Sequence, residues 1–340
     1  MPRSGSRRAG LVAGLVAALG FSTSGPVVKL LLEAGWSPGA ALCFRLPLGA
    51  LFLAGPALLA LRGRFCLLRD EWRIVLTFGT VGVAGSSSLY YLAVDRLPVA
   101  VALLVEYTAP LLLLAVAWLR TRRAPSPAVL AGAALAVGGL VLVLAVTGRL
   151  RLDPLGLTFA CLAAVANAVY WVLTARPIAT PPVALAGAGM VVGALLVALL
   201  CLVGVLPVTA PAVHVDVLGA HLPWFVPVLV VAAVPTAVAY GVSAVSVRVL
   251  GERVASFVAL AEVLFAVLLA WLVLGEAPLP VQALGAVLVV AGVALVRRGS
   301  GADEHDGTPV GEVFAAAATG GLPDEDGLPP DGAALDRLAV

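Results

Sequence analysis

The sequence predicts an all-α membrane protein: ten transmembrane helices arranged as two inverted five-helix repeats. Three observations carry this expectation. The 340-residue chain is 61% hydrophobic and 12% charged, against about 25% charged in a soluble domain. Cut at its charge clusters and Pro/Gly breaks, it leaves ten apolar runs close to the roughly 20 residues that a spanning helix needs. Residues Leu89–Val143 also align without a gap on Val242–Val296, with 19 of 55 paired positions identical, about twice what a Leu/Val/Ala-rich composition alone gives.

Composition does not explain Ala117-Trp118-Leu119 falling on Ala270-Trp271-Leu272, Ala124-Pro125-x-Pro127 on Ala277-Pro278-x-Pro280, or Gly132 and Gly139 on Gly285 and Gly292. The match continues more weakly into the opening spans, where Pro38, Gly49 and Ala50 fall on Pro182, Gly193 and Ala194 and Lys29 falls near Arg176.

The spans are read at 9–32, 38–61, 73–94, 97–119, 126–147, 153–175, 182–206, 223–247, 252–274 and 279–297. The first follows Arg3, Arg7 and Arg8 and so mimics a signal peptide. No convincing cleavage site comes before Gly25-Pro26, and it reads as a span. Breaks follow at Gly35 to Pro38, Arg62 to Arg73, Asp95-Arg96, Arg120 to Pro127 and Thr147 to Pro154. Later ones fall at Arg176 to Pro182, Pro207 to Pro223, Arg248 to Arg253 and Gly275 to Pro280. Lipid offers no partner to backbone polar groups, so helices are the economical reading of such runs.

Basic residues choose the orientation. With the N-terminus in the cytoplasm, the inner segments collect 15 Lys/Arg and the outer ones 4, namely Lys29, Arg96, Arg149 and Arg151. That bias places both termini inside. Each copy holds five spans, an odd number, so the second copy enters the membrane upside down. The expected units are 1–148 (first repeat), 152–297 (second repeat) and 298–340. The segment Gly299–Val340 holds nine acidic residues and one basic residue, and reads as a disordered acidic cytoplasmic tail. Cys43, Cys66, Cys161 and Cys201 are scattered without a CxxC pair, and read as small buried hydrophobes rather than zinc or redox ligands.

A family resemblance enters through particular residues. The stretch Phe21-Ser22-Thr23-Ser24-Gly25-Pro26-Val27-Val28-Lys29 resembles the opening helix of EamA-type transporters of the drug/metabolite transporter superfamily, with Phe21 where Trp is common. Arg45-Leu46 resembles that family's Arg-Phe. The run Val263 to Leu274 followed by Gly275-Glu276 is similar to its repeat signature. There Val263 replaces the usual Pro, which the first copy keeps as Pro110, while the first copy has Arg122-Arg123 in place of Gly-Glu. The resemblance covers about residues 10 to 297. It implies a multi-pass protein of two inverted repeats around a central cavity, moving a small metabolite, such as an amino acid or derivative, often outward.

Glu106 and Glu262 are the sharpest candidate site residues, each near the middle of its span. An ionised carboxylate in hydrocarbon costs about 2.5–3.5 kcal/mol on insertion scales, so each must face the bundle interior, pair with a cation or carry a proton. Their functional reading is proton coupling or binding of a substrate ammonium; their structural reading is an interhelical hydrogen bond. Pro110, one turn after Glu106, frees the Glu106 carbonyl and bends the helix. Ser22, Thr23 and Ser24 flank a Gly-Pro interruption, the best sequence pointer to a transporter binding site, though such hydroxyls also bond back to their own helix.

Lys29 and Arg45 are open to attracting a substrate carboxylate, to pairing with Glu33 or a buried Glu, and to snorkelling. Asn167 and Tyr170 share a face of the sixth span, with Trp171 beside them, and serve a ligand or helix packing. Tyr90, Tyr91 and Tyr240 line the cavity or anchor at the interface. Trp36, Trp72, Trp224, Trp118 and Trp271 read as interface anchors. His214, Asp216 and His221 share one outer loop with spacing too irregular for a metal site.

No P-loop is present, which argues against an ATP-driven pump within this chain. No cofactor, metal or nucleic-acid signature appears either. The expected partners are a small-molecule substrate, the lipid bilayer and protons as coupling ion, in a bacterial plasma membrane; the Arg-over-Lys bias points weakly to a GC-rich bacterium. A passive facilitator or channel is the first rival. An intramembrane enzyme is the more distant one, since it needs clustered catalytic groups and the polar residues here stand singly.

Overall fold

The computed structural model describes residues 4–121, 126–147, 153–174, 178–217, 219–250, 258 and 260–303, and these are mostly helical. In chain order the helices are α1 (Ser4–Ser22), α2 (Ser24–Glu33), α3 (Pro38–Leu61), α4 (Cys66–Asp70), α5 (Trp72–Thr77), α6 (Ser86–Arg96), α7 (Val99–Glu106) and α8 (Ala109–Thr121). They continue as α9 (Pro127–Thr147), α10 (Pro154–Thr174), α11 (Pro182–Leu202), α12 (Phe225–Ala232), α13 (Ala239–Leu250), α14 (Ala261–Leu274) and α15 (Pro280–Asp303). Arg8–Glu33, Pro38–Leu61, Trp72–Arg96 and Pro182–Leu202 are long and apolar enough to cross a membrane, and shorter apolar helices accompany them.

Several runs expected to be single helices are interrupted, and each interruption has a cause. The first breaks at Thr23. Pro26 has no N–H to return to the Ser22 carbonyl, while the Ser22 and Thr23 hydroxyls donate to the carbonyls of Leu19 and Gly20, both at 2.7 Å. The fourth breaks at Tyr107-Thr108, because Pro110 has no N–H for the Glu106 carbonyl. The third and eighth contain π-helical stretches, Phe78–Gly85 and Ala233–Val238. The repeat offset is 153 residues (242 − 89), which puts 80–85 on 233–238. The two widened turns are therefore equivalents.

The all-α expectation needs one correction. The loop after α11 carries a hairpin of β1 (His214–Val217) and β2 (Ala220–Pro223), antiparallel with Val215 opposite Leu222 and Asp216 opposite His221. Its alternation turns Val215 inward against Leu31, Trp36 and Val228, and Gly219 turns the chain at φ +83°. Trp36 is corrected with it. Rather than an interface anchor it is a core residue, 3% exposed, donating from Nε1 to the Pro211 carbonyl at 3.1 Å and lying against Phe44 and Trp224. Trp72, Trp118 and Trp271 remain exposed. The last helix runs to Asp303, so 298–303, expected to be part of a disordered tail, are helical. The rest of that tail lies outside the described residues.

The closest helix contacts run crosswise between the copies. On α9 and α15, a Cβ added to Gly132 would stand 2.8 Å from the Gly292 carbonyl oxygen, and one added to Gly139 would stand 2.6 Å from the Gly285 carbonyl oxygen. Gly132 and Gly139 are the counterparts of Gly285 and Gly292, so each glycine meets the counterpart of the other. The pair α3 and α11 repeats the pattern with the Pro38-on-Pro182 offset of 144 (182 − 38). Cys43 touches Cys201, and their counterparts Gly187 and Ala57 touch each other. Inside these pairs, Val28, Leu42, Leu46, Tyr91, Val99 and Leu104 form the core around the centre of the bundle.

Candidate functional site

Chain breaks place the two midspan acids. Glu106 is the last residue of α7, where the helix stops before Pro110. Glu262 lies in the first turn of α14. Ala109, which opens α8, maps on position 262 (109 + 153), one residue from Ala261, which opens α14. Both copies thus restart a helix at the same place, and the acids sit on opposite sides of that restart. Interrupted helices bring side chains and unpaired backbone groups to the centre of a bundle without exposing them to lipid.

Around the acids, among the described residues, stand hydroxyls and the Arg45 guanidinium. Ser86, at the head of α6 just after the π-helical stretch, donates to Glu106 Oε1 at 3.3 Å. Glu262 accepts a hydrogen bond from Tyr107. Glu106 lies within electrostatic range of Glu262 and of Arg45. The buried Tyr90 hydroxyl lies within electrostatic range of the same three groups. Arg45, on α3, donates from Nη1 to the Tyr91 hydroxyl at 3.0 Å, and its Cζ lies 5.4 Å from the Tyr91 ring centroid. Arg45 Nε is buried with no hydrogen-bond partner among the described residues. The break in the first run serves this centre too, since a Cβ on Gly25 would collide with the Tyr90 hydroxyl.

The other expected site residues fall in different places. Tyr91 is fully buried and so is no interface anchor. Ser22 and Thr23 bond back to their own helix, and Ser24, the first residue of α2, is half-buried. Lys29 does not snorkel. Its ammonium donates to the Val94 carbonyl at 2.7 Å and the Leu97 carbonyl at 3.5 Å, at the C-terminal end of α6. Asn167 is half-buried on α10, and the Tyr170 ring packs 5.2 Å from that of Phe78 in the first π-helical stretch. The side chains of Pro110, Trp171 and Tyr240 lie outside the described residues. His221 pairs through Nδ1 with Asp216 across the exposed hairpin.

Ser86 and Tyr107 were not singled out by the sequence reading. Signals for both are present: Ser86-Ser87-Ser88 is a hydroxyl run inside an apolar segment, and Tyr107 adjoins Glu106 at the helix break. Glu276 is the other addition. Gly275, left-handed at φ +71°, turns the chain out of α14 and delivers the Glu276 carboxylate to the Val99 N–H at 3.0 Å.

Chemically, the centre offers two carboxylates able to take a proton or an ammonium group and, for an anion, a guanidinium whose Nε–H is free of a partner among the described residues. The model of the EamA-like transporter family matches residues 8–145 and 154–298. No curated protein matches the chain. One solved structure, described only as the crystal structure of a protein, is 22% identical and superposes with a TM-score of 0.58, covering 85% of this chain and 96% of that one. At that identity the likeness concerns the fold alone.

Proposed function

The chain belongs to the EamA-like transporter family, and from that premise we propose that it is a secondary-active transporter that moves a small metabolite across the plasma membrane by alternating access. The observation that carries this reading is the central cluster, where Glu106 and Glu262, from equivalent segments of the two copies, come within electrostatic range of each other and Glu106 of Arg45. A site shared by both copies changes its exposure when one copy rocks against the other.

The crosswise glycine contacts support an inverted arrangement. If Gly132 touches the counterpart of Gly139 and Gly139 the counterpart of Gly132, the matching helices run in opposite directions about a two-fold axis. That fits ten spans, five per copy, with both termini in the cytoplasm. Labelling that puts Arg62–Arg73 and Arg120–Arg123 on opposite sides of the membrane defeats this topology.

The acids supply the coupling. Two neighbouring carboxylates repel when both are ionised, and a proton on either relieves the repulsion. A substrate cation relieves it in the same way, so proton and substrate exchange at one centre. Differential binding to the two facing states drives the switch. Outward movement of an amino acid or derivative in a bacterial cell is the direction and cargo we favour.

The test is E106Q. Metabolites that differ between deletion and overexpression strains serve as cargo for flux in membrane vesicles. E106Q abolishes proton-coupled flux at unchanged expression; flux equal to wild type at every pH retires the assignment. Movement that an uncoupler leaves intact, with no accumulation against a gradient, favours a passive facilitator instead.

A further inference from the structure

Two of the four cysteines meet. Cys43 Sγ on α3 lies 3.4 Å from Cys201 Sγ on α11, and both side chains are half-buried. The other two, Cys66 and Cys161, are exposed. We propose that Cys43 and Cys201 are an oxidation site, whose disulfide fastens the two repeats together at one end of the bundle.

The backbone brings the thiols into range. α3 presses on the end of α11 so closely that a Cβ on Gly39 would stand 2.6 Å from the Pro207 carbonyl oxygen and 3.3 Å from Cys201 Sγ. The same end is already zipped by polar contacts. The Ser37 hydroxyl donates to the Pro207 carbonyl at 2.7 Å and accepts from the Thr209 N–H at 2.9 Å, while the Ser37 N–H donates to the Thr209 carbonyl at 2.9 Å. A disulfide needs Sγ atoms about 2.05 Å apart. Rotation about the two Cα–Cβ bonds and a small helix shift close the difference.

The crosswise relation between the copies makes this fastening one-sided. The counterparts of Cys43 and Cys201 are Gly187 and Ala57, which touch at the opposite end of the same helix pair and carry no thiol. Oxidation pins one end and leaves the other free to separate. In the orientation proposed above, the pinned end faces the extracytoplasmic side, where disulfides form and persist.

The chemistry is thiol–disulfide exchange with a disulfide-bearing oxidase. One cysteine thiolate attacks the oxidase disulfide and releases one oxidase thiol. The second cysteine thiolate then displaces the other, forming the Cys43–Cys201 bond. The two chain thiols lose two protons and two electrons, and the oxidase disulfide ends as a dithiol.

The test uses the full chain in membrane vesicles, with diamide as oxidant. After oxidation the protein is denatured in detergent, its remaining thiols are counted by polyethylene glycol–maleimide addition, and linked peptides are identified by mass spectrometry. The expected count falls from four to two and returns to four with dithiothreitol, with Cys43 joined to Cys201. C43S and C201S keep three titratable thiols under both conditions. A count that stays at four, or a bond joining another pair, overturns the site. For the fastening, amide exchange at residues 34–37 and 203–206 slows at least tenfold in oxidised wild type and not in C43S; equal exchange overturns it. Neither readout needs a substrate, so failure here leaves the transport proposal standing, and loss of that proposal leaves the bond.

Discussion

Lys29 and Glu276 clasp one corner of the chain from opposite repeats. The corner is Leu97-Pro98, between α6 and α7. Lys29 donates to the carbonyls of Val94 and Leu97 as α6 ends, and Glu276 accepts the Val99 N–H as α7 begins. A cation at a helix C-terminus and an anion at a helix N-terminus are the favourable placements at both ends. The two charges also attract each other. The Lys that closes the opening helix and the Gly-Glu that closes the ninth run thus hold the helix that carries Glu106.

The Glu276 carboxyl, in the loop outside the spans, titrates above its ordinary value. Burial raises it, and the Val99 N–H and Lys29 offset only part of that rise, to which Glu33 adds. A folded value above the unfolded one contributes stability that is present below about pH 4.3 and is lost as pH rises through the folded value. E276Q removes that pH dependence while keeping an acceptor for Val99. E276A loses the cap and costs about 1 kcal/mol. Unfolding midpoints of the purified protein across pH check both, and parallel curves for wild type and E276Q count against the assignment.

Glu71 shows the opposite sign at the far end of the bundle. Burial pushes its carboxyl up, but the Thr180 hydroxyl and the N–H groups of Ala179 and Thr180 outweigh that and hold it below its ordinary value. The stability it adds is present above about pH 4.3 and disappears as pH falls through the folded value. E71Q should be weaker than wild type at pH 7 by about 1 kcal/mol, a hydrogen-bonded charge discounted for its contact with water. The two proteins should converge on acidification. A difference that does not shrink as pH falls would show that charge is not what Glu71 contributes.

Gly25 and Tyr90 form a steric pair at the centre. A Cβ on Gly25 would strike the Tyr90 hydroxyl and also stand 2.6 Å from Val99 Cγ1. G25A should cost about 1–3 kcal/mol through overpacking. Y90F, which removes the oxygen, should recover part of that in the double variant but not all, because Val99 remains. Thermal midpoints of the four proteins in this cycle give the coupling directly. Additive effects would mean that α2 shifts away from α6 rather than packing on it.

What was legible in the chain was whatever repeats or interrupts a pattern. Ten apolar runs and the internal duplication announced the helices and the glycine faces, and Pro26 and Pro110 marked real helix breaks. The π-helical stretches were not legible, because a widened turn leaves an apolar run unchanged in composition. The hairpin at His214–Pro223 hid in a Pro-rich loop, since four-residue strands carry too little alternation to separate from irregular chain. At the centre, the acids were visible because a charge in an apolar run is costly. Their donors Ser86 and Tyr107 carry only an ambiguous signal, because a hydroxyl in a membrane helix also satisfies itself on its own backbone, as Ser22 and Thr23 do.

The crosswise contact of α9 and α15 rests on two backbones with nothing between them. A Cβ on Gly292 would collide with the Ala136 nitrogen and stand 2.5 Å from the Gly132 carbonyl oxygen. Backbone atoms cannot rotate aside, so G292A must push the helices apart along their length, at about 1–3 kcal/mol or more. G139A meets the Gly285 carbonyl oxygen and should behave alike, because Gly139 and Gly292 are counterparts and each meets the counterpart of the other's partner. Gly138, adjacent but with nothing within 4 Å of an added Cβ, is the control. G138A should be neutral, or stabilising by up to about 1 kcal/mol from helix propensity. If G292A and G139A fall together while G138A holds, the equivalence of the two copies is energetic as well as visible in sequence. If G292A behaves like G138A, the helices do not meet through these glycines.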